Sequence, residues 1–128
     1  MNYNTEKITI LVVDDTPENI EVLDSVLGTQ YSLKVALNGE RALELAETTP
    51  HPDMILLDIM MPDMDGFEVC QRIKGDPSTQ HIPVIFVTAL DDVDDEEKGL
   101  LLGAVDYITK PVSPPIVMAR VKTHLALF

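Results

Sequence analysis

Met54-Ile55-Leu56-Leu57-Asp58 is four apolar residues closed by an acid. The run is short and does not alternate, so it reads as a strand buried on both faces, with Asp58 just past its carboxyl end. The same figure recurs along the chain. Ile8–Val13, broken only by Thr9, is followed by Asp14 and Asp15. Pro83–Val87 is followed by Thr88, and Val105–Ile108, interrupted by Asp106, by Thr109 and Lys110. Leu33–Leu37 is a weaker run of the same kind. Strands that are apolar throughout belong to parallel sheets covered on both sides.

Helical periods fill the intervals. Residues 17–28 place Ile20, Leu23 and Leu27 on one stripe with Val26 beside it. Thr16 suits the N-cap, Pro17 the first helical position and Gly28 the stop. Residues 40–48 carry Ala42, Leu43, Leu45 and Ala46. Residues 66–74 carry Phe67, Val69, Cys70 and Ile73, and Asp65 with Glu68 resembles a capping box. Residues 93–102 carry Val93 and Leu100–Leu102, with Gly103 as a stop; residues 113–127 carry Ile116, Val117, Val121 and Leu125. Strand and helix alternate five times. That order predicts an α/β fold, a parallel sheet between two layers of helices.

Length and composition agree with one such unit. The chain has 128 residues, which is one domain. A chain of this size buries about two-thirds of its unfolded surface and needs no disulfide or structural metal to fold. Cys70 is its single cysteine, which excludes a disulfide framework and a Cys-rich zinc site. The polar start Met1–Lys7 is unlike a signal peptide, and the apolar runs fall far short of the roughly 18 residues that span a bilayer. A cytoplasmic location is the expectation. Lys plus Arg is 9 against 22 Asp plus Glu, a net charge of −13. Nucleic acid and anionic membranes are therefore poor partners for this chain alone. The last helical period runs to Leu127-Phe128 without a cap, glycine or polar tail, so residues 1–128 are expected to be a single domain excised from a longer protein.

Functional groups in open α/β sheets collect at the carboxyl ends of the strands. Asp14, Asp15, Asp58, Thr88 and Lys110 should therefore meet at one edge, whatever their separation in sequence. Three carboxylates in one place favour a bound cation or a shared proton. The candidate ligands are all hard oxygens, which selects Mg2+ or Mn2+ over zinc or copper. Lys110 can balance one carboxylate or hold a phosphate oxygen, and Thr88 offers a hydroxyl to the same anion.

At this point the chain resembles the response-regulator receiver domains of two-component signalling systems. The resemblance covers residues 8 to about 125. It rests on Asp14-Asp15, on Ile55–Gly66 with Asp58 at its centre, on Val87-Thr88-Ala89, and on Asp106-Tyr107-Ile108-Thr109-Lys110-Pro111. The resemblance implies a flavodoxin-like (βα)5 three-layer sandwich with strand order 2-1-3-4-5. It implies that Asp58 is the phosphoacceptor, taking a phosphoryl group from a sensor histidine kinase or phosphotransfer protein to give an aspartyl phosphate. Asp15, Asp58 and the backbone carbonyl of Met60 would bind Mg2+, with Asp14 acting through water. Lys110 and Thr88 would assist catalysis, Thr88 and Tyr107 would act as the switch, and Lys110-Pro111 is a candidate cis bond. Such a domain is no enzyme in the ordinary sense, catalysing only its own phosphorylation and slow dephosphorylation.

Two residues past Asp58 stands Met60, and two past Thr88 stands Leu90. A polar residue at either place orients an attacking water in fast-hydrolysing family members, so two apolar ones predict a long-lived phospho-form. Other features have plainer readings. Cys70 is in phase with Phe67 and Ile73 and reads as core. His51 and His81 read as loop residues, and His124 as a positive group at a helix end. Asp63, Met64, Asp65 and Gly66 read as loop and cap. Residues 91–97 hold six acids, whereas residues 107–128 hold none but carry Lys110, Arg120, Lys122 and His124. That contrast suggests a homodimer through the face of the fourth helix, fifth strand and fifth helix. The alternatives are an interaction module of the same fold that works without phosphorylation, and an aspartyl-phosphate-forming phosphatase. The second usually places its nucleophile after the first strand, with another acid two residues on.

Overall fold

The computed structural model describes residues 8–126. Five strands form one parallel sheet: β1 (Thr9–Val13), β2 (Ser32–Ala36), β3 (Met54–Leu57), β4 (Val84–Thr88) and β5 (Asp106–Thr109). Their order is β2-β1-β3-β4-β5, with β1 parallel to both its neighbours. The helices are α1 (Pro17–Leu27), α2 (Gly39–Glu47), α3 (Gly66–Gly75), α4 (Val93–Leu101) and α5 (Pro114–Leu125). Each expected element is present, with ends displaced by one or two residues.

Alternation along the strands divides the core in two. Leu11, Val13, Ile55, Leu57, Val84 and Phe86 point to one face, where they meet Ala42 and Ala46 of α2 and Phe67, Val69, Cys70 and Ile73 of α3. Ile10, Val12, Met54, Leu56, Ile85, Val87 and Ile108 point to the other, against Leu23 and Leu27 of α1 and Val117 and Val121 of α5. β1, β3 and β4 are buried almost end to end because helices cover both of their faces. β2 lies at the sheet edge, and Val35 is exposed there, which accounts for its weaker apolar run.

Local expectations fared unevenly. Asp65 caps α3, accepting the Glu68 N–H at 2.9 Å. Thr16 occupies the N-cap position of α1, but its side chain makes no capping bond. Instead its own N–H donates to Asp14 Oδ1 at 3.0 Å. Gly103 ends α4 with φ +112°, the left-handed conformation that glycine tolerates. Gly28 ends α1 at φ −66°, with no left-handed residue. The apolar residues of α4 did not become core. Val93 is 77% exposed and Leu101 80%, and only Gly99 of that helix is buried. Ile116 of α5 is also exposed. No helix among the described residues is long and apolar enough to cross a membrane. The proposed run of α5 to Leu127-Phe128 lies outside the described residues.

Candidate functional site

The strand register gathers the polar strand ends. Val13 is paired with Leu57, and Leu57 with Phe86, so Asp14 and Asp58 each stand one step beyond a matched pair. The Asp58 N–H donates to the Val13 carbonyl at 2.9 Å, and the Lys110 N–H to the Thr88 carbonyl at 2.8 Å. The backbone thus carries the sheet one residue past its strands and sets each functional side chain from behind.

Three carboxylates meet there. Ligand oxygens of Asp14, Asp15 and Asp58 all lie within 4.8 Å of one another. Asp14 and Asp58 are buried and Asp15 is exposed. Lys110 Nζ reaches Asp14 Oδ2 at 2.6 Å and Asp58 Oδ2 at 3.4 Å. Its side chain is only 16% exposed, so this ammonium is committed to the two buried acids. The pairing stabilises the charges against desolvation, but one cation does not balance three carboxylates. The uncompensated charge, the all-oxygen donor set and the single open acid fit a hard divalent cation. Asp58 Oδ1 accepts the Ile59 N–H at 2.8 Å and the Met60 N–H at 3.4 Å. Its other oxygen faces Lys110.

Thr88 is wholly buried beside this cluster, and its Oγ1 accepts the Leu90 N–H at 3.4 Å. Tyr107 is also buried, with its hydroxyl donating to the Leu90 carbonyl at 2.7 Å. The inward placement of the ring is therefore already present in this structure. Burial, and then the acids Asp95, Glu96, Asp91 and Asp58, push the Tyr107 hydroxyl up to about 12. The hydroxyl stays a donor at neutral pH. Met60 is exposed at the rim, and Lys110-Pro111 is cis.

Two contributors were not anticipated. Gly66, expected as loop, is wedged against Asp58: a Cβ built there would lie 2.2 Å from the Asp58 carbonyl oxygen. Its N–H also donates to the Ile59 carbonyl at 2.9 Å. An Asp-Gly pair ahead of a helical period was the available signal, but only the close approach reveals the role. Asn19, on α1, donates to Asp14 Oδ1 at 3.4 Å. Nothing in its sequence context marked it. His124 differs from expectation as well. Rather than facing the helix dipole alone, its Nε2 lies 3.0 Å from Asp106 Oδ2, and Arg120 holds the other Asp106 oxygen at 3.3 Å.

Known proteins place this arrangement in a family. The model of the response regulator receiver domain family matches residues 10–122. A Vibrio cholerae protein named as a probable cyclic di-GMP phosphodiesterase is 50% identical over 117 residues. That match covers 91% of this chain and 26% of the relative. The response regulator PleD of Caulobacter vibrioides is 47% identical over 115 residues, 89% of this chain and 25% of PleD. The chain thus spans about a quarter of the length of these two relatives. Among solved structures, one described as a response regulator from Chloroflexus aurantiacus superposes with a TM-score of 0.89 at 35% identity. It covers 94% of this chain and 99% of that one. With five parallel strands in the order 2-1-3-4-5 and acids at their carboxyl ends, the chain belongs to the response regulator receiver domain family.

Proposed function

We propose that this domain is a phosphorylation-operated switch with Asp58 as its phosphoacceptor. The observation that carries the reading is the convergence of Asp14, Asp15 and Asp58 on one strand edge with Lys110 bound to the two buried acids. Receiver domains of response regulators interact with histidine kinases or phosphotransfer proteins, and a phosphohistidine on such a partner is the proposed donor. An Asp58 carboxylate oxygen attacks phosphorus as the P–N bond breaks. The imidazole leaves with the electron pair and an aspartyl phosphate remains. Asp15, Asp58 and the Met60 carbonyl are the proposed Mg2+ ligands, with Asp14 acting through water. When bound, Mg2+ (or Mn2+) supplies positive charge to the transferring phosphoryl oxygens.

The chain's own residues perform the rest. Lys110 shifts its attraction from the acids to a phosphate oxygen and stabilises the charge on the transferring group. Thr88 turns its hydroxyl from the Leu90 N–H toward the new phosphate. The phosphate adds about −1.5 to −2 charge and three acceptors, which favours the arrangement that brings Thr88 close. Tyr107 is tied to the Leu90 carbonyl, so a shift of residues 88–90 is felt at the α4–β5–α5 face. A second copy is the proposed partner at that face, through acidic α4 and basic α5. Arg120 and His124 are already engaged by Asp106 in this chain, so dimer contacts must compete with those pairs.

The deciding experiment is to incubate the protein with Mg2+ and a small phosphodonor and weigh it intact. The expected result is a gain of one phosphate, absent from Asp58→Asn. No gain with several donors would leave the fold as an interaction module that works without phosphorylation.

A further inference from the structure

The opposite edge of the sheet carries a second pair of metal-ligating side chains. His51 lies in the connection from α2 to β3, and His81 in the connection from α3 to β4. β3 and β4 are parallel neighbours, so the two connections arrive side by side at the amino ends of these strands. The two imidazole rings stand with centroids 5.8 Å apart and planes at 72°.

The His51 ring is already oriented. Its Nδ1 lies 2.8 Å from the Ala46 carbonyl oxygen. A carbonyl can only accept, so Nδ1 carries the proton and the neutral ring keeps its lone pair on Nε2. A histidine fixed through one nitrogen to a backbone carbonyl and bare at the other is how metal-ligating histidines are held. Two imidazoles on one tetrahedral ion, each with a metal–nitrogen bond of about 2.0 Å, put their ring centres about 5 Å apart. The observed 5.8 Å is close to that value. His81 is exposed and makes no side-chain hydrogen bond among the described residues, so no existing bond opposes its turning toward a shared ion.

We propose that His51 and His81 form a two-histidine site for a borderline divalent transition metal such as Zn2+, Ni2+ or Cu2+, with water completing the coordination. Imidazole suits these ions, whereas Mg2+ prefers oxygen, so the pair differs from the acidic pocket in position and in ion class. A bound ion ties the α2–β3 connection to the α3–β4 connection and stabilises the native state with occupancy. The inference is independent of whether Asp58 is phosphorylated.

The test adds Ni2+ to the full chain, with Mg2+ in excess to occupy the acidic pocket, while NMR follows the imidazole signals. His51 and His81 should broaden together at Ni2+ concentrations that leave His124 sharp, and Tm should rise. In His81→Gln, and in His81→Ala as a second variant, the Ni2+ response of His51 should weaken at least about tenfold. Loss of an outer partner alone costs roughly 10–100-fold in metal affinity, and loss of a ligand costs no less. The Tm gain should vanish with it. The site is refuted if the two rings respond at different concentrations, if His124 responds alongside them, or if either His81 variant keeps the parent response at His51.

Discussion

α3 and α4 flank the same strand, β4, yet they are held very differently. α3 buries Gly66, Phe67, Val69, Cys70 and Ile73. α4 buries Gly99 alone and turns Val93 and Leu101 to solvent. Its attachments are few: Gly99 lies close on the Phe86 ring, Lys98 Nζ sits 4.4 Å from the Phe67 ring centre, and the Tyr107 hydroxyl ties Leu90 just ahead of the helix. α3 also starts at the loop that follows Asp58, where Gly66 abuts the Asp58 carbonyl. The helix that abuts Asp58 is welded to the core, and the helix that follows β4 is hung from a few contacts, most of them aromatic. Elements with little buried apolar area open at low free-energy cost, which is what a moving part requires.

The largest test of this contrast is truncation on each helix. Ile73→Ala should lose about 2–5 kcal/mol of unfolding free energy in urea, because it empties a fully buried site. Leu101→Ala should stay within about 0.5 kcal/mol, because that side chain is 80% exposed. A loss above about 1.5 kcal/mol for Leu101→Ala would show that α4 is as firmly anchored as α3.

The glycines sharpen the comparison. A Cβ at Gly66 meets a backbone oxygen at 2.2 Å, whereas one at Gly99 meets Phe86 side-chain carbons at 2.8 Å. A ring can tilt, but a carbonyl cannot yield without moving Asp58. Gly66→Ala should fall near the top of the roughly 1–3 kcal/mol range for overpacking and Gly99→Ala near the bottom. Phosphorylation, measured by intact mass, should slow markedly in the first variant.

A smaller effect concerns the groove between the two helices, which Met60 and Leu90 line together. Met60→Asn with Leu90→Glu should shorten the life of the phospho-form roughly tenfold, about 1.4 kcal/mol in barrier. A decay no faster than the parent's would exclude these side chains as shields.

The smallest effect is alkaline. Burial pushes the Cys70 thiol on α3 up to about 11 from 9.0, offset slightly by Lys74. The unfolded chain releases this proton first, so the contribution is fully present below pH 9 and is lost as pH rises from 9.0 to about 11. Cys70→Ala should flatten that part of the stability-versus-pH curve. An unchanged slope would mean that the thiol is not shielded by the core.

Much of the molecule was legible because parallel strands buried on both faces cannot hide their pattern. Met54–Leu57 and Val84–Thr88 have no polar face to confuse with a helix, and the polar residue ending each run marks the sheet's functional edge. Helix faces were less legible. Val93, Leu100 and Leu101 satisfied a helical period, but whether such a stripe meets the core depends on the space left by neighbouring layers. Asn19 and the Asp106–Arg120–His124 group escaped notice for the same reason, since their partners lie on other elements.

The sequence by itself determined the strand–helix order, the identity of the acids, threonine and lysine, and the edge on which they gather. These follow from local periodicity and from the direction of parallel strands. Only the tertiary structure decided that Lys110 is shared by Asp14 and Asp58, that Gly66 must lack a side chain beside the Asp58 carbonyl, that α4 is the exposed helix, and that His51 and His81 stand together. Those facts depend on distances of a few Å between residues far apart in the chain, which periodicity does not encode and close packing does.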